Sequence, residues 1–272
     1  MSALLRFSRL VRPTGTLQPN KFAPKTMTSQ FFTPYRASAR GGLSRSRFYS
    51  SNYRPGSPYQ LSTNMGVLYS LMGANIAIYF YAVYLKAQFM QGYQLPFMKF
   101  MQNMTLNFTE FRNGRWWTAV TSTFTHVDFG HVFSNMFTMY FLGSFLATAP
   151  QVTPGRFLFI ALGSGISGSA GYLCQQYLKV QSNPGVPDYS RGLGFSGAVM
   201  GICSVAACLA PTTKFQLYGI VPVPLWALVA GYAAYDGYYL NSADTRVAHS
   251  GHLGGLAFGI MYYVLKLRGM RF

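Results

Sequence analysis

Six apolar stretches, each close to the length that crosses a bilayer, constrain the fold of this chain more than any other feature. A membrane-spanning helix needs about 20 mainly apolar residues. Only 10% of the residues are charged, whereas soluble domains carry about 25%. The sequence therefore predicts an all-α membrane protein, a bundle of six transmembrane helices at residues 65–86, 130–149, 156–178, 195–211, 217–240 and 251–267.

The first 64 residues have a different composition. They hold ten of the 22 Lys and Arg residues, are rich in Ser, Thr and Pro, and contain no Asp or Glu, the first acidic residue being Glu110. An Arg-rich, acid-free segment without an apolar core is typical of an organelle transit peptide. The segment Arg47-Phe48-Tyr49-Ser50 resembles a mitochondrial processing site. We therefore expect a disordered basic presequence at 1–49, a linker at 50–64 and the membrane domain at 65–272.

Two alternatives exist for the basic segment. A disordered tail of this charge could bind anionic lipids, or nucleic acid through counterion release. The basic residues are not carried by any recognisable nucleic-acid-binding module, so we expect no nucleic-acid partner.

Two glycine-rich motifs place polar groups inside apolar stretches. The first is Gly194-Phe195-Ser196-Gly197, and the second is His252-Leu253-Gly254-Gly255. Ionisable and polar groups within membrane segments are costly and usually functional. A serine hydroxyl needs a neighbouring base to act as a nucleophile, so the pair to consider is Ser196 with His252.

Small residues predict how the two motifs meet. Gly251, Gly255 and Gly259 recur every four positions, as do Gly197 and Gly201. This spacing clears one helix face of side chains and lets two backbones approach closely. We expect the helices near 195–211 and 251–267 to pack face to face, which would bring Ser196 to His252.

A third motif could supply hydrogen-bond donors for an oxyanion. His131 and Asn135 are four residues apart and therefore lie on one face of the second predicted helix. Ser196 stands at the start of its own helix, where free backbone N–H groups and the helix dipole favour negative charge.

With these motifs the chain resembles the rhomboid family of intramembrane serine proteases, over residues 65 to 270 or so. Four matches in order carry the resemblance: the Trp116-Trp117 loop, His126–His131–Asn135, Gly194–Gly197 and His252–Gly255. The resemblance implies a catalytic Ser196–His252 dyad without a third acid and an oxyanion hole from His131, Asn135 and the Ser196 backbone N–H. It also implies supporting roles for His126, Gly194, Gly197 and Met200.

Two positions depart from the usual family pattern. Many members have Arg after the Trp pair, where this chain has Thr118, and Arg115 stands just before the pair. Many also carry Tyr four residues after the serine, where this chain has Met200. Methionine there resembles the mitochondrial branch and could pack on the imidazole edge.

Other readings of the polar residues remain open. The four histidines could hold zinc, but no carboxylate or cysteine lies at ligand spacing with them, and we expect neither metal nor cofactor. Asp236 and Asp244 are expected in solvent between the last two helices, with a triad acid the less favoured alternative. His249 is expected at the aqueous rim, Pro222 and Pro224 at a kink or break, and the three cysteines as reduced core residues.

The sequence thus predicts an intramembrane serine endopeptidase, a multi-pass protein of the mitochondrial inner membrane. Its partners would be the transmembrane segments of membrane-anchored protein substrates and the lipid bilayer itself. The alternative is a catalytically silent rhomboid-like adaptor that binds transmembrane segments. A small-solute transporter is less favoured, because paired intramembrane charges and repeat symmetry are missing from the sequence.

Overall fold

A computed structural model describes residues 57–217, 220–242 and 247–269. The predicted presequence at 1–49 and Asp244 lie outside the described residues. Within them the structure is mainly helical, with one short β-hairpin. The larger helices are α1 (Pro58–Met90), α5 (Phe129–Ala147), α6 (Pro154–Ser182), α7 (Ser196–Leu209), α8 (Leu225–Tyr238) and α9 (His249–Tyr262).

Helix α1 begins at Pro58 and not at residue 65 as predicted. Proline at the first helical position has its φ preset for a helix, and its missing N–H is not needed there. The Ser57 side chain caps the helix by accepting a hydrogen bond from the Gln60 backbone N–H at 3.2 Å. The predicted linker is therefore helical from Pro58 onward.

The long connection between α1 and α5 contains its own helical segments. After α1 the chain forms four short elements: α2 (Gln94–Met104), α3 (Phe108–Arg112), α4 (Thr118–Thr121) and a 3₁₀ turn (Ser122–Phe124). Trp116 and Trp117, just before α4, are exposed. Such amphipathic rings suit the boundary between membrane and water.

Helix α7 is the centre of the bundle and packs on α5, α6, α8 and α9. Most of its residues are buried, from Gly197 to Ala207 without interruption. A helix that is apolar and buried on all sides occurs only in a protein core or a membrane bundle. The first residue of α7 is Ser196, so the burial of this helix fixes the position of the serine motif.

The fifth predicted stretch, 217–240, is not one helix. Its first part belongs to an antiparallel hairpin of β1 (Lys214–Leu217) and β2 (Val221–Pro224), in which Lys214 pairs with Pro224 and Phe215 with Val223. Proline has no N–H to donate to a helix and clashes with the preceding turn. Pro222 and Pro224 thus mark a break, and α8 begins only at Leu225.

Of the helices in the described ranges, two, α1 and α6, are long and apolar enough to cross a membrane. Helix α7 is apolar but has only 14 residues. Each of the six predicted stretches contains a helix, while the number of membrane crossings stays a prediction. At the C-terminal end α9 continues as a π-helical turn (Tyr263–Leu267).

Candidate active site

Glycine contacts bring three helices into direct backbone contact. A Cβ at Gly255 of α9 would overlap the carbonyl of Gly197 in α7, and one at Gly259 would overlap Gly201. A Cβ at Gly168 of α6 would lie 2.8 Å from the carbonyl oxygen of Gly251. The predicted face-to-face packing of α7 and α9 is therefore confirmed, and α6 joins the same contact.

This packing places Ser196 and His252 within hydrogen-bond distance. The Ser196 Oγ lies 2.8 Å from the His252 Nε2. Ser196 is the first residue of α7, where backbone N–H groups lack intrahelical partners and the dipole is positive. The geometry is that of a nucleophile beside a base.

The loop that enters α7 is anchored to the region before α5. Gly192 exchanges two backbone hydrogen bonds of 2.8 Å with Leu106, and the Gly194 N–H donates to the Ser122 carbonyl at 2.9 Å. Gly194 has φ +121°, a conformation that other residues rarely adopt. A Cβ there would lie 2.5 Å from Cε1 of His131, so the glycine also leaves room for this ring.

His126 connects Asn135 to the start of α7. The Asn135 side-chain amide lies 3.0 Å from the His126 Nε2, and the Phe195 backbone N–H donates to the same nitrogen at 3.3 Å. Burial, with a smaller contribution from the nearby His131, lowers the pKa of His126 to about 3. The ring is therefore neutral near pH 7, with Nε2 as the acceptor.

His131 completes this group. Its ring packs edge-on against His126, with the ring centroids 4.9 Å apart, and its backbone N–H is capped by Asp128 Oδ1 at 2.9 Å. His126, His131 and Asn135 are thus together beside the motif that carries Ser196. Gly197 lies in the α6–α7–α9 contact, and Met200 is buried in the second turn of α7.

The position of Asp236 differs from the sequence prediction. It was expected in solvent between two helices, but it lies within α8 with only 1% of its surface exposed. Its Oδ1 and Oδ2 both lie 3.1 Å from the His252 Nδ1. A buried carboxylate is costly without hydrogen-bond partners, and two imidazoles supply them here.

His249 supplies the second imidazole, and its position also differs from the sequence prediction. It was expected at the aqueous rim, yet only 2% of its surface is exposed, and its Nδ1 lies 2.6 Å from Asp236 Oδ1. Its ring packs on Tyr235 and Tyr239. One turn of α9 therefore carries two histidines that share a single carboxylate from α8.

Among the residues that the structure describes, these three also form a cluster that could hold a metal ion. Asp236, His249 and His252 place their ligand atoms within 4.8 Å of one another, whereas we expected no carboxylate at ligand spacing with the histidines. Ligands around a tetrahedral zinc lie about 3.3 Å apart at the usual metal–nitrogen distances. The 2.6 Å between His249 and Asp236 is shorter, and fits a direct hydrogen bond.

An ion-pair cluster holds the first loop to the loop before Ser196. Glu110 contacts Arg191 at 2.6 Å and Arg115 at 3.2 Å, and Arg191 also donates to the Met101 carbonyl. Partial burial raises the pKa of Glu110, but the two arginines outweigh it and leave the pKa below its usual value. Thr118, at the position where many family members have Arg, is buried and donates to the Arg115 carbonyl.

A small cavity opens beside Ser196. It lies between α6, α7 and the loop before α7, and its lining includes Ser122, Ser169 and Tyr172. Gly194, Ser196 and Gly251 also line it. Among the cysteines, Cys203 is buried, but Cys174 is exposed, so the expectation of a core position is wrong for Cys174.

The sequence analysis named Asp236 as a possible triad acid but favoured a solvated position, and it missed the Glu110 cluster. The signal for Asp236 was present, because it falls within the apolar stretch 217–240, where a charged residue suggests function. The pairing of Glu110 with Arg191 had no such signal, since 81 residues separate the two.

Comparisons with known proteins identify the family of the chain. A Rhomboid domain model matches residues 113–269. The chain is 33% identical over 179 residues to RHOMBOID-like protein 12, mitochondrial, of Arabidopsis thaliana, covering 63% of this chain and 52% of that protein. It is 27% identical over 208 residues to Rhomboid protein 1, mitochondrial, of Saccharomyces cerevisiae, covering 74% and 54%.

A third relative is Presenilin-associated rhomboid-like protein, mitochondrial, of Bos taurus, 29% identical over 148 residues, which cover 52% of this chain and 36% of that protein. The chain matches about half the length of the first two relatives. Since the family model matches more than half of the chain, and does so over the helices that carry Ser196 and His252, this protein belongs to the rhomboid family.

Proposed function

We propose that the protein is an intramembrane serine endopeptidase that cleaves peptide bonds in or near the transmembrane segments of other membrane proteins. The observation that carries the proposal is the 2.8 Å contact between Ser196 Oγ and His252 Nε2 at the start of a buried helix. Family membership supports it, since rhomboids are generally intramembrane serine proteases.

The reaction would begin with attack of Ser196 Oγ on a substrate peptide carbonyl. His252 Nε2 would accept the hydroxyl proton as the new C–O bond forms, and would return it to the leaving amine when the peptide C–N bond breaks. A water molecule, deprotonated by the same nitrogen, would then hydrolyse the acyl-enzyme and regenerate Ser196.

Negative charge on the carbonyl oxygen needs donors already in place. We assign this role to the Asn135 amide, the His131 ring and the Ser196 backbone N–H. His126 would support them: its neutral Nε2 accepts from both Asn135 and Phe195, which ties the Asn135 amide to the residue just before Ser196. Gly194 would leave room for the His131 ring, and Gly197 would let α7 approach α6 and α9 closely. Met200 would pack beside His252.

The substrate would be a helix that can unwind. A carbonyl within a regular helix is hydrogen-bonded and sterically covered, so it must be freed before Ser196 can attack it. Residues with low helix propensity, such as Gly or Pro, are expected near the cleaved bond. The cavity beside Ser196 supports entry of water for the second step.

We propose the mitochondrial inner membrane as the location, with the chain crossing it several times. The names of its relatives place those proteins in mitochondria. The acid-free basic N-terminus of this chain supports the same compartment. N-terminal sequencing of the protein recovered from mitochondria should give a start near Ser50.

The experiment compares wild type with Ser196→Ala, each reconstituted in liposomes with a fluorogenic transmembrane substrate and a fluorophosphonate probe. Losing the nucleophile of a serine protease costs on the order of a millionfold in turnover. Ser144→Ala is the matched control, because it removes another buried serine hydroxyl, in α5.

We expect labelling and cleavage in wild type and Ser144→Ala, and neither in a folded Ser196→Ala protein. A wild type that neither labels nor cleaves would contradict the protease assignment and favour the silent adaptor. Cleavage that persists in Ser196→Ala would show that another group performs the chemistry.

A further inference from the structure

We propose that Asp236 is a positioning residue for His252, so that the site works as a Ser196–His252–Asp236 triad, with His249 holding the carboxylate in place. This inference deepens the proposed protease function and rests on it. The Asp236 residue is only 1% exposed, and its carboxylate faces two imidazole Nδ1 atoms.

The contact with His252 would select the ring tautomer. A carboxylate can only accept, so the His252 Nδ1 at 3.1 Å from both oxygens must carry the proton. A neutral imidazole protonated at Nδ1 has its lone pair on Nε2, which lies 2.8 Å from Ser196 Oγ. Asp236 therefore makes His252 a base toward Ser196.

The same carboxylate would stabilise the charged intermediate. When His252 takes the Ser196 proton, the ring becomes an imidazolium with its Nδ1–H still directed at Asp236. The carboxylate keeps its charge and is not itself protonated, in the manner of the acid in serine protease triads. No further proton acceptor is needed to balance the step.

His249 would fix the carboxylate for this task. Its Nδ1 lies 2.6 Å from Asp236 Oδ1, closer than His252, so Asp236 is held from one side and presented to His252 on the other. The His249 ring is packed by Tyr235 and Tyr239, on the same helix as Asp236 or just after it. A single carboxylate thus links the end of α8 to the first turn of α9.

Hydrogen bonds outside the triad hold these two helix ends together. Gln175 of α6 donates from its amide nitrogen to the Leu240 carbonyl just after α8, and accepts from the Ser250 hydroxyl of α9 at 2.8 Å. Both ends are therefore attached to α6. The Asp236 carboxylate is therefore held in place by the packing of α8 and α9 on α6.

The test uses Asp236→Asn, which keeps the size of the side chain but replaces an acceptor with an amide that can donate. In the serine protease template this change costs about 10⁴-fold in turnover, because the histidine adopts the wrong tautomer. We expect a loss of kcat/KM of about 10²- to 10⁴-fold here, partial recovery in Asp236→Glu, and no loss in Asp188→Asn, an acid-to-amide control in the loop before α7.

A pH profile separates positioning from a merely structural role. Within the described part of the chain, Asp236 from α8 and His249 from its own helix contact His252, and His131 of α5 is close enough to interact with it electrostatically. If Asp236 stabilises the imidazolium, the acidic limb of kcat/KM should move to lower pH in Asp236→Asn. A limb that stays in place while the plateau falls would contradict the proposal.

A second measurement does not depend on activity. In Ser196→Ala protein with ¹⁵N-labelled histidine, the His252 nitrogen shifts should show an Nδ1–H tautomer, and combining Ser196→Ala with Asp236→Asn should convert it to Nε2–H. An unchanged tautomer would overturn the inference even if wild type proves active. An inactive wild type with the tautomer switch intact would overturn the protease function and leave the Asp236–His252 contact established.

Discussion

Gly255 of α9 packs directly on the backbone carbonyl of Gly197 in α7, with no room for a methyl group between them. Gly255→Ala should therefore force the two helices apart and destabilise the protein by about 1–3 kcal/mol, the usual cost of overpacking. It should also lower activity, because Ser196 and His252 are held together by this contact. Thermal unfolding in detergent micelles measures the first effect and substrate cleavage the second.

The matched control for this prediction is Gly73→Ala in α1. A Cβ at Gly73 meets nothing within 4 Å, and alanine is favoured over glycine inside a helix by about 0.5–1 kcal/mol. This variant should be neutral or slightly stabilised. Equal melting temperatures for the two alanine variants would contradict the tight packing of α7 on α9.

Gly194→Ala should impair catalysis more than stability. The residue has φ +121°, and a Cβ there would press on the His131 ring. The strained backbone costs about 1–3 kcal/mol, and displacement of His131 would remove a donor from the oxyanion hole that we propose. Gly185→Ala is the control, because Gly185 also has a positive φ, of +87°, but a Cβ added there would meet nothing within 4 Å. A similar kcat loss in both variants would show that backbone strain alone is responsible.

Asn135→Ala should lower kcat by about 10²- to 10³-fold with a smaller change in KM, the result of losing one oxyanion donor. Asn64→Ala is a matched control: Asn64 is also buried, and its amide donates to the carbonyls of Ala147, the last residue of α5, and Val152, in the connection to α6. Asn64→Ala should reduce the melting temperature but leave kcat of the folded fraction unchanged. Steady-state kinetics distinguish the two, and an equal kcat loss would remove Asn135 from the oxyanion hole.

Acid should destabilise the protein through His126. Burial keeps this imidazole neutral in the folded protein down to a pKa of about 3, while in the unfolded chain it takes a proton near pH 6.5. Between these values the unfolded state binds more protons, so stability falls as pH is lowered. Its contribution is fully present above about pH 6.5.

The measurement is the free energy of unfolding from pH 7.5 to 4 in wild type and His126→Gln. Glutamine does not titrate, so the variant should be less stable at pH 7.5 but show a flatter pH dependence. Parallel curves for the two proteins would argue against a buried neutral His126.

Glu110→Gln should loosen the loop that leads to Ser196. The change removes the ion pairs with Arg191 and Arg115, whose side chains are about one quarter to one third exposed. We expect a loss of about 1 kcal/mol, which high salt should reduce because partly exposed pairs are screened. The pKa of Glu110 is below its usual value, so this stabilisation is present above the unfolded pKa of about 4.3 and is lost as pH falls through the folded pKa.

The control is Lys99→Gln, which removes an exposed charge from α2 in the same connection. For Glu110→Gln, the loss of unfolding free energy relative to wild type should be larger at low salt than at high salt. For Lys99→Gln, the unfolding free energy should stay close to that of wild type at both salt concentrations. A loss in Glu110→Gln that salt does not change would point to packing and not to charge.

The helical class, the motif pairs and the surface on which α7 and α9 meet could all be predicted from local sequence patterns. Glycines spaced every four residues clear a helix face whatever surrounds them, so the contact between Gly197 and Gly255 could be predicted from local pattern alone. The same holds for His131 and Asn135, because residues four apart on a helix always share a face.

Which distant polar groups meet depends on how the helices pack in three dimensions. Asp236 lies 13 residues from His249 and 16 from His252, and whether it faces water or two imidazoles depends on how α8 rotates against α9. Pro222 and Pro224 lie in β2, and α8 begins directly after them, at Leu225. A hydrophobic pattern predicts which residues are buried, but the contacts between buried polar groups depend on how whole helices pack.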